Sequence, residues 1–475
     1  MAAGSIIRTQ IPQRLDRLPW SRWHSLIVLA LGITWILDGL EVTIVGSIGP
    51  VLSDPATLNF TEEQVGLTAT AYLLGTVLGA LIFSYLTDRQ GRKRWFLITL
   101  YIYLIATLLS ACSWNLWSFM LFRFIAGMGI GGEYAAVNSA IDELIPSRSR
   151  GQVDIAINGS WWIGTLIGAI ISIPLLNTLI FPVDIGWRIC FALGALLGLA
   201  ILFVRRWVPE SPRWLVINGR QTEAEDMLGL IETQIKKEHK LSALPEPQGE
   251  LIMQSKVNVN FLTTAKQLIL VYPKRTILGL SLMITQACLY NAIFFSYAMV
   301  LYTYYNVPKE EIGYYIIPFA IANFMGPLIL GRMFDTIGRR IMISSTYTIS
   351  GILLGVSSYL FLHNQLGALT QTLAWSVIFF FASAGASSAY LTVSEIFPVE
   401  IRAMAIAFFF VVAQAAASLT PWLFGRLIQE SREHLAIGNF IAGLCMVVGG
   451  VIAYKLCVDA ERCSLEEIAK PISSY

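Results

Sequence analysis

Gly79–Arg94 reads GALIFSYLTDRQGRKR, and Gly326–Arg340 reads GPLILGRMFDTIGRR. The stretches align Gly79 with Gly326, Asp88 with Asp335, Gly91 with Gly338 and Arg92 with Arg339. In each, an apolar run ends on a carboxylate, a glycine that can take a positive φ, and a row of cationic donors. A second pair repeats at nearly the same offset. DELIPSRSRG (Asp142–Gly151) matches SEIFPVEIRA (Ser394–Ala403), placing Glu143 on Glu395, Pro146 on Pro398 and Arg150 on Arg402. Two independent matches in register point to a duplicated unit with charged hinges between apolar helices.

Outward from these hinges the chain is mostly apolar. Of its 475 residues 55% are hydrophobic and 13% charged, and mean hydropathy is +0.63, more apolar surface than a water-soluble domain of this size buries. Runs of roughly 20 residues, long enough to span a bilayer, lie near 25–52, 64–86, 95–112, 116–140, 153–177 and 187–205. A second set lies near 275–304, 311–333, 341–362, 369–393, 403–428 and 434–456. The expected fold is all-α and membrane-integral, with twelve transmembrane helices in two pseudo-symmetric six-helix bundles. Its parts are an N-terminal segment (1–24), a first bundle (25–205), a linker (206–272), a second bundle (273–456) and a tail (457–475). In the linker, GRQTEAEDMLGLIETQIKKEHK reads as short amphipathic helices ending at the LPEPQ turn.

Charge placement predicts orientation. Arg89, Arg92, Lys93 and Arg94, then Arg148 and Arg150, the linker, and Arg332, Arg339 and Arg340 fall in alternate loops, which face the cytoplasm by the positive-inside rule. The intervening loops carry Asp54, Glu62, Glu63, Glu310 and Glu311 without a basic cluster. Both termini are therefore expected in the cytoplasm. Arg8, Arg14, Arg17 and Arg22 precede the first apolar segment as in a signal peptide, but that segment is too long and contains Asp38 and Glu41, so it reads as a retained helix. The compact outer loops point to the inner membrane of a prokaryote.

Charges inside the apolar runs mark the chemistry, since each costs on the order of 3 kcal/mol at the bilayer centre. Asp38 and Glu41 sit one turn apart on one face of the first helix, and Arg123 and Glu133 lie in the fourth. An Asp38–Arg123 pair fits the depths of both residues, and a carboxylate that alternates between a proton and an arginine couples protonation to conformation. The alternative is a static pair that fixes helix packing. For Glu133 three roles fit equally: a substrate contact, a second proton site or a structural pair. The GMGIGG run (Gly127–Gly132) spells a dinucleotide fingerprint but lies in an apolar helix with no preceding strand, so its glycines read as allowing close helix approach. At the hinges, Asp88, Arg89, Gly91, Arg92, Asp335 and Arg339 read as a cytoplasmic gate, with Glu143, Arg150, Glu210, Glu395 and Arg402 as ion-pair partners. A topogenic basic anchor is the simpler reading of such loops.

Along nearly its whole length the chain resembles the major facilitator superfamily, in its sugar-porter and metabolite/proton symporter branch. The paired DRxGR-type loops, RFIAGMGIGGEY, ELIPSRSRG, PESPRWL (Pro209–Leu215), SEIFP and SLEEI (Ser464–Ile468) carry the resemblance. In that branch the first-helix motif GYD holds a protonated aspartate paired with a fourth-helix arginine. The resemblance places ILD, and so Asp38, on the aspartate and Arg123 on the arginine. The seventh-helix motif QQLSGINAI appears as TQACLYNAI, keeping Gln286 and Asn291 but with Thr285 at the first glutamine. Asn158 stands for the fifth-helix glutamine, Tyr390 for the tenth-helix tryptophan, and Val411 and Ala415 for the eleventh-helix asparagines, departures that weaken a hexose reading. GIGGEY and NGSWWIG are similar to relatives that carry aromatic acids or organic ions, where Trp161 and Trp162 stack on a flat substrate.

The expected activity is proton-coupled symport of a small polar metabolite, an organic acid or other ionic metabolite ahead of a sugar, by alternating access. Glu41, Asn158, Trp161, Trp162, Gln286, Asn291 and Tyr390 are the expected substrate contacts. A sugar symporter or uniporter is the second reading, and a non-transporting nutrient sensor the reading from another class. The six cysteines are scattered and the four histidines (His24, His239, His363, His434) dispersed, so neither a metal site nor enzymatic acid–base chemistry is expected. No cofactor beyond the coupling proton is implied. The near-neutral charge of +2 gives no case for nucleic acid, and a monomer in the bilayer is expected.

Overall fold

Apolar runs of bilayer length leave the backbone no water to bond, so they close their hydrogen bonds internally as helices. A computed structural model describes residues 6–205, 209–247, 251–254, 261–397 and 402–457. The first half comprises α2 (Arg22–Leu52), α3 (Glu62–Gln90), α4 (Arg92–Ala111), α5 (Leu116–Leu144), α6 (Ser147–Leu175) and α7 (Val183–Arg205). The second comprises α11 (Pro273–Tyr305), α12 (Ile312–Thr336), α13 (Arg339–Leu362), α14 (Ala368–Glu395), α15 (Arg402–Ala417) continued by α16 (Thr420–Glu430), and α17 (Arg432–Leu456). Among the described residues ten helices are long and apolar enough to cross a membrane. Leu, Ile and aromatic side chains such as Ile105, Leu121, Ile352 and Phe440 cover their outer faces and are more than half exposed, as a lipid-facing surface requires.

The run expected as one span over 403–428 is one span, Met404–Glu430, whose helix is interrupted at Ser418–Leu419. Pro421, at the start of α16, has no N–H to donate and its ring excludes the preceding turn, so the helix restarts there.

Both hinge glycines adopt the backbone the sequence predicts: Gly91 has φ 104° and Gly338 φ 111°, each between two helices. Close approach explains the other glycine runs. A Cβ on Gly127 or Gly131 of α5 would stand 2.0–2.1 Å from the carbonyl oxygens of Tyr72 or Thr76, and one on Gly75 or Gly79 of α3 would meet those of Phe124 or Met128 at 2.1 Å. The GMGIGG run is thus one side of a reciprocal small-residue seam between α3 and α5.

The halves meet along α2 with α11, α3 with α16, and α6 with α12. On the face opposite the linker these seams are tight. Gly66 backs onto the Pro421 carbonyl and Gly425 onto that of Glu62. The Trp422 indole donates to Glu63 Oε1 at 2.8 Å, and Lys309 forms an ion pair with Asp54. The described conformation is closed on that face.

On the linker face a second, smaller core forms. β1 (Ile6–Thr9) pairs antiparallel with β2 (Leu251–Gln254), Ile6 opposite Gln254 and Thr9 opposite Leu251. α1 (Ile11–Asp16) follows, and the linker contributes α8 (Pro212–Ile217), α9 (Gln221–His239) and α10 (Phe261–Val271). Ala224, Leu228, Ile231 and Ile235, at helical spacing on α9, pack against Ile11, Leu15 and Leu18. Glu232 accepts from Arg14 at 2.8 and 3.0 Å and from Arg17 at 2.7 Å. Burial pushes the Glu232 carboxyl up, but the two guanidiniums outweigh it and hold the group below its ordinary value. Residues 6–18, expected only as part of a cytoplasmic end, are therefore packed with the linker.

Candidate transport site

The centre of the first half holds a charge cluster to which all six of its helices contribute. Asp38, Glu41, Arg123 and Glu133 are each no more than 2% exposed. Arg123 of α5 forms its ion pair with Glu41, not with Asp38. Thr107 of α4 donates to Glu41 Oε1 at 3.2 Å, and the Tyr103 hydroxyl lies beside the same carboxylate. The Arg123 guanidinium rests on the Tyr72 ring, 4.3 Å from its centroid, with Phe191 of α7 at 5.7 Å. Glu41 Oε2 and Arg123 Nε and Nη2 have no hydrogen-bond partner among the described residues. A buried pair so incompletely satisfied gains little net stability from its own attraction, which suits a group that exchanges partners.

Asp38 takes different partners. Its Oδ2 accepts from the Trp161 indole of α6 at 2.7 Å and its Oδ1 from the Tyr72 hydroxyl of α3 at 3.1 Å. Asp38 and Glu41 share a face of α2 one turn apart, and Arg123 reaches the second of them. Sequence held the signal for this choice. Gly39-Leu40-Glu41 fits the pattern glycine, any residue, acid, which Ile36-Leu37-Asp38 lacks at its first position. Glu133 lies ten positions after Arg123 on the same helix, about 15 Å along its axis, and is not part of the pair.

Between the halves the site becomes aromatic. The Trp161 ring lies 5.6 Å from Phe294 of α11, and Trp162 lies 6.2 Å from Tyr290 and 6.4 Å from Phe319 of α12. Asn158, one turn earlier on α6, is exposed. In the second half the polar groups are neutral. Gln286 is buried and faces the Tyr390 hydroxyl. Asn291 donates to the Ala287 carbonyl at 2.9 Å and to Gln414 of α15 at 3.4 Å. The Tyr290 hydroxyl donates to Asn323 Oδ1 at 3.0 Å. Tyr72, Thr107, Phe294, Tyr290, Asn323 and Gln414 were not read as site residues. Asn323 and Gln414, single amides in apolar runs, were the legible ones among them.

Of the hinge residues, Glu210 stands at the start of α4, where both its carboxylate oxygens accept from the Lys93 backbone N–H at 3.3 Å. A carboxylate there also complements the helix dipole. In these contacts Glu210 ties the segment after α7 to α4, not one half to the other. A Cβ on Gly91 would stand 2.8 Å from Glu210 Oε2, so glycine is required there by space as well as by φ. Arg339 is half-buried and opens α13. The side chains of Asp88, Arg89, Arg92, Glu143, Arg150, Asp335, Glu395 and Arg402 lie outside the described residues. Among the described residues no group of His, Cys, Asp and Glu could hold a metal ion.

A duplicated helical bundle closed on one face, with buried charges in one half and neutral polar groups in the other, is a transporter of the major facilitator superfamily. Residues 38–471 match the family model described as "Sugar (and other) transporter", and the chain belongs to that family. It is 24% identical to Organic cation/carnitine transporter 7 of Arabidopsis thaliana, over 94% of this chain and 95% of the relative. It is 32% identical to the niacin transporter NiaP of Acinetobacter baylyi over 46% of this chain, and so spans about half (48%) of that relative's length. The fold is that of the xylose transporter XylE from E. coli in its partially occluded inward-open conformation, with a TM-score of 0.74 at 18% identity over 94% of this chain and 100% of that one. The protein is a multi-pass membrane protein of that transporter family.

Proposed function

We propose that the protein is a proton-coupled symporter of a small polar metabolite, ionic and bearing a flat ring, working by alternating access in the plasma membrane as a monomer. The buried Glu41–Arg123 pair, with Asp38 one turn away, carries this reading. Two carboxylates facing one arginine cannot both be compensated by it, so a proton on one of them is the low-cost way to complete the charge balance. Moving that proton between the two faces requires a change in which carboxylate the arginine holds.

Substrate class follows from the rings. Trp161, Trp162, Tyr290, Phe294 and Phe319 come from both halves and leave little for a sugar's hydroxyls but offer π-faces to a planar molecule. Gln286 and Asn291 supply neutral donors and acceptors that set its orientation. The niacin and organic-cation transporters among its relatives favour the same class. The loops rich in Arg and Lys support a cytoplasmic linker and cytoplasmic termini. No cofactor beyond the proton enters this scheme.

The test is uptake into proteoliposomes, scanning aromatic carboxylates, ring-bearing organic cations, small aliphatic acids and hexoses with and without an inward proton gradient. Gradient-driven accumulation of a ring-bearing ion supports the reading. Accumulation of hexoses alone would transfer it to sugar symport, and uptake indifferent to the gradient would make the protein a uniporter.

A further inference from the structure

Proton coupling requires that separation of the halves be felt by a carboxylate buried inside one of them, and Trp161 spans that gap. Two glycines bring it there. A Cβ on Gly39 of α2 would stand 2.1 Å from the Trp161 carbonyl oxygen, and one on Gly164 of α6 would stand 1.9 Å from that of Ile36. With α2 and α6 in backbone contact, the Trp161 indole N–H reaches Asp38 Oδ2 at 2.7 Å. The opposite side of the ring faces the second half, with its centroid 5.6 Å from that of Phe294 at an interplanar angle of 59°. Trp162 braces it edge-on at 4.7 Å. Phe294 belongs to the seam that closes the face opposite the linker, since its carbonyl oxygen lies 3.5 Å from a Cβ built on Gly46 of α2.

We propose that Trp161 is a positioning residue that ties closure between the halves to the state of Asp38; this rests on the proton-coupled reading above. While the seam is closed, Phe294 covers the ring and the indole N–H stays on Asp38. When α11 withdraws, the ring loses its cover, the indole rotates away, and a proton from water takes the place of the indole N–H on the carboxylate. The charged and titratable groups facing Asp38 are Glu41 on its own helix, Tyr72 on α3, Tyr103 on α4 and Arg123 on α5. α6 presents Trp161 to Asp38, α7 presents Phe191 to Arg123, and α11 presents Phe294 to the Trp161 ring. Tyr72 completes the path, because its hydroxyl holds Asp38 while its ring carries Arg123.

Protons taken up per substrate molecule test the proposal, measured with a trapped pH dye beside radiolabelled substrate. Trp161→Phe keeps a ring against Phe294 but deletes the donor; Phe294→Leu keeps the donor but deletes the cover. Each is expected to lower the ratio, Trp161→Phe by roughly tenfold, the weight of one hydrogen bond to a charged group, and Phe294→Leu by less. A purely structural role reduces flux and leaves the ratio at its wild-type value, an outcome that overturns the proposal. Loss of all flux in both variants overturns it too, by leaving the two rings their substrate-binding role alone. Should Trp161→Phe fail to fold, Phe294→Leu carries the test alone. Wild-type protein that takes up substrate without protons defeats the symport reading instead, so the two failures are distinguishable.

Discussion

The two halves share one fold and one hinge, yet their interiors differ in kind. The first buries Asp38, Glu41, Arg123 and Glu133. In the second, the described polar groups at corresponding depth are amides and hydroxyls: Gln286, Asn291, Asn323, Gln414 and Tyr290. The repeated frame is common to both halves, and the buried side chains set on it differ in chemistry. Titratable charge responds to protons, whereas neutral amides bind a solute without being displaced by them. In the proposed function the first half carries the coupling, and the second supplies the neutral groups that orient the substrate.

Removing one member of the charge cluster breaks this comparison most sharply. Arg123→Ala leaves Glu41 buried beside Asp38 with no cation, a loss of about 3 kcal/mol or more. Gradient-driven accumulation should fall roughly a hundredfold or more, and thermal stability in detergent should fall with it. The double variant Glu41→Gln/Arg123→Gln removes both charges and is expected to recover stability but not accumulation. If accumulation returned with stability, the pair would be structural and the first half would lose its assigned role.

Substitution of the second half's interior amides should act on binding alone. Gln286→Ala and Asn291→Ala each remove a neutral hydrogen-bonding group and are expected to raise KM by roughly tenfold, with protons per substrate unchanged. A changed ratio in either variant would erase the division between the halves.

The smallest effect belongs to the pair that joins the halves. Lys309→Ala deletes the partly buried Asp54 ion pair on the closed face and should shift the balance of conformations by roughly a few-fold. Cysteine accessibility at positions lining that seam reads the shift. The pair also has a pH signature. Its bond to Lys309 first, and the Ala56 backbone N–H second, hold the Asp54 carboxyl below its ordinary value. Its contribution to closure is thus fully present above the usual aspartate range and is lost as pH falls through the lowered value. Closure independent of pH down to the acid side of that range is the expected profile, and loss of closure near neutrality would implicate another group.

Much of the fold was legible because its signals are local. A run of twenty apolar residues must be a helix in lipid, and a glycine between an acid and two basic residues marks a turn wherever it occurs. The glycine seam of α3 and α5 was readable for the same reason, since small residues at four-residue spacing face one way. The site was legible as a composition but not as a set of contacts. Asp38, Glu41 and Arg123 stood out by their cost in an apolar run, while Tyr72, Thr107 and Phe294 did not, because hydroxyls and rings are ordinary in such helices.

Sequence alone determined the superfamily, the helical class, the duplication and the presence of expensive charges inside the bilayer. Tertiary structure decided which carboxylate meets Arg123. The two candidates lie one turn apart on one helix face, and beyond the Gly39-Leu40-Glu41 pattern it is the relative depth of α2 and α5 that selects between them. It likewise decided that residues 6–9 form a strand, since their partner lies more than two hundred residues away at 251–254. It put Trp161 on Asp38 as well, through a backbone contact that two glycines permit but that no periodicity of α6 announces. Periodicity specifies which face of a helix is turned inward; the partner it finds there depends on how far each helix slides along its neighbour.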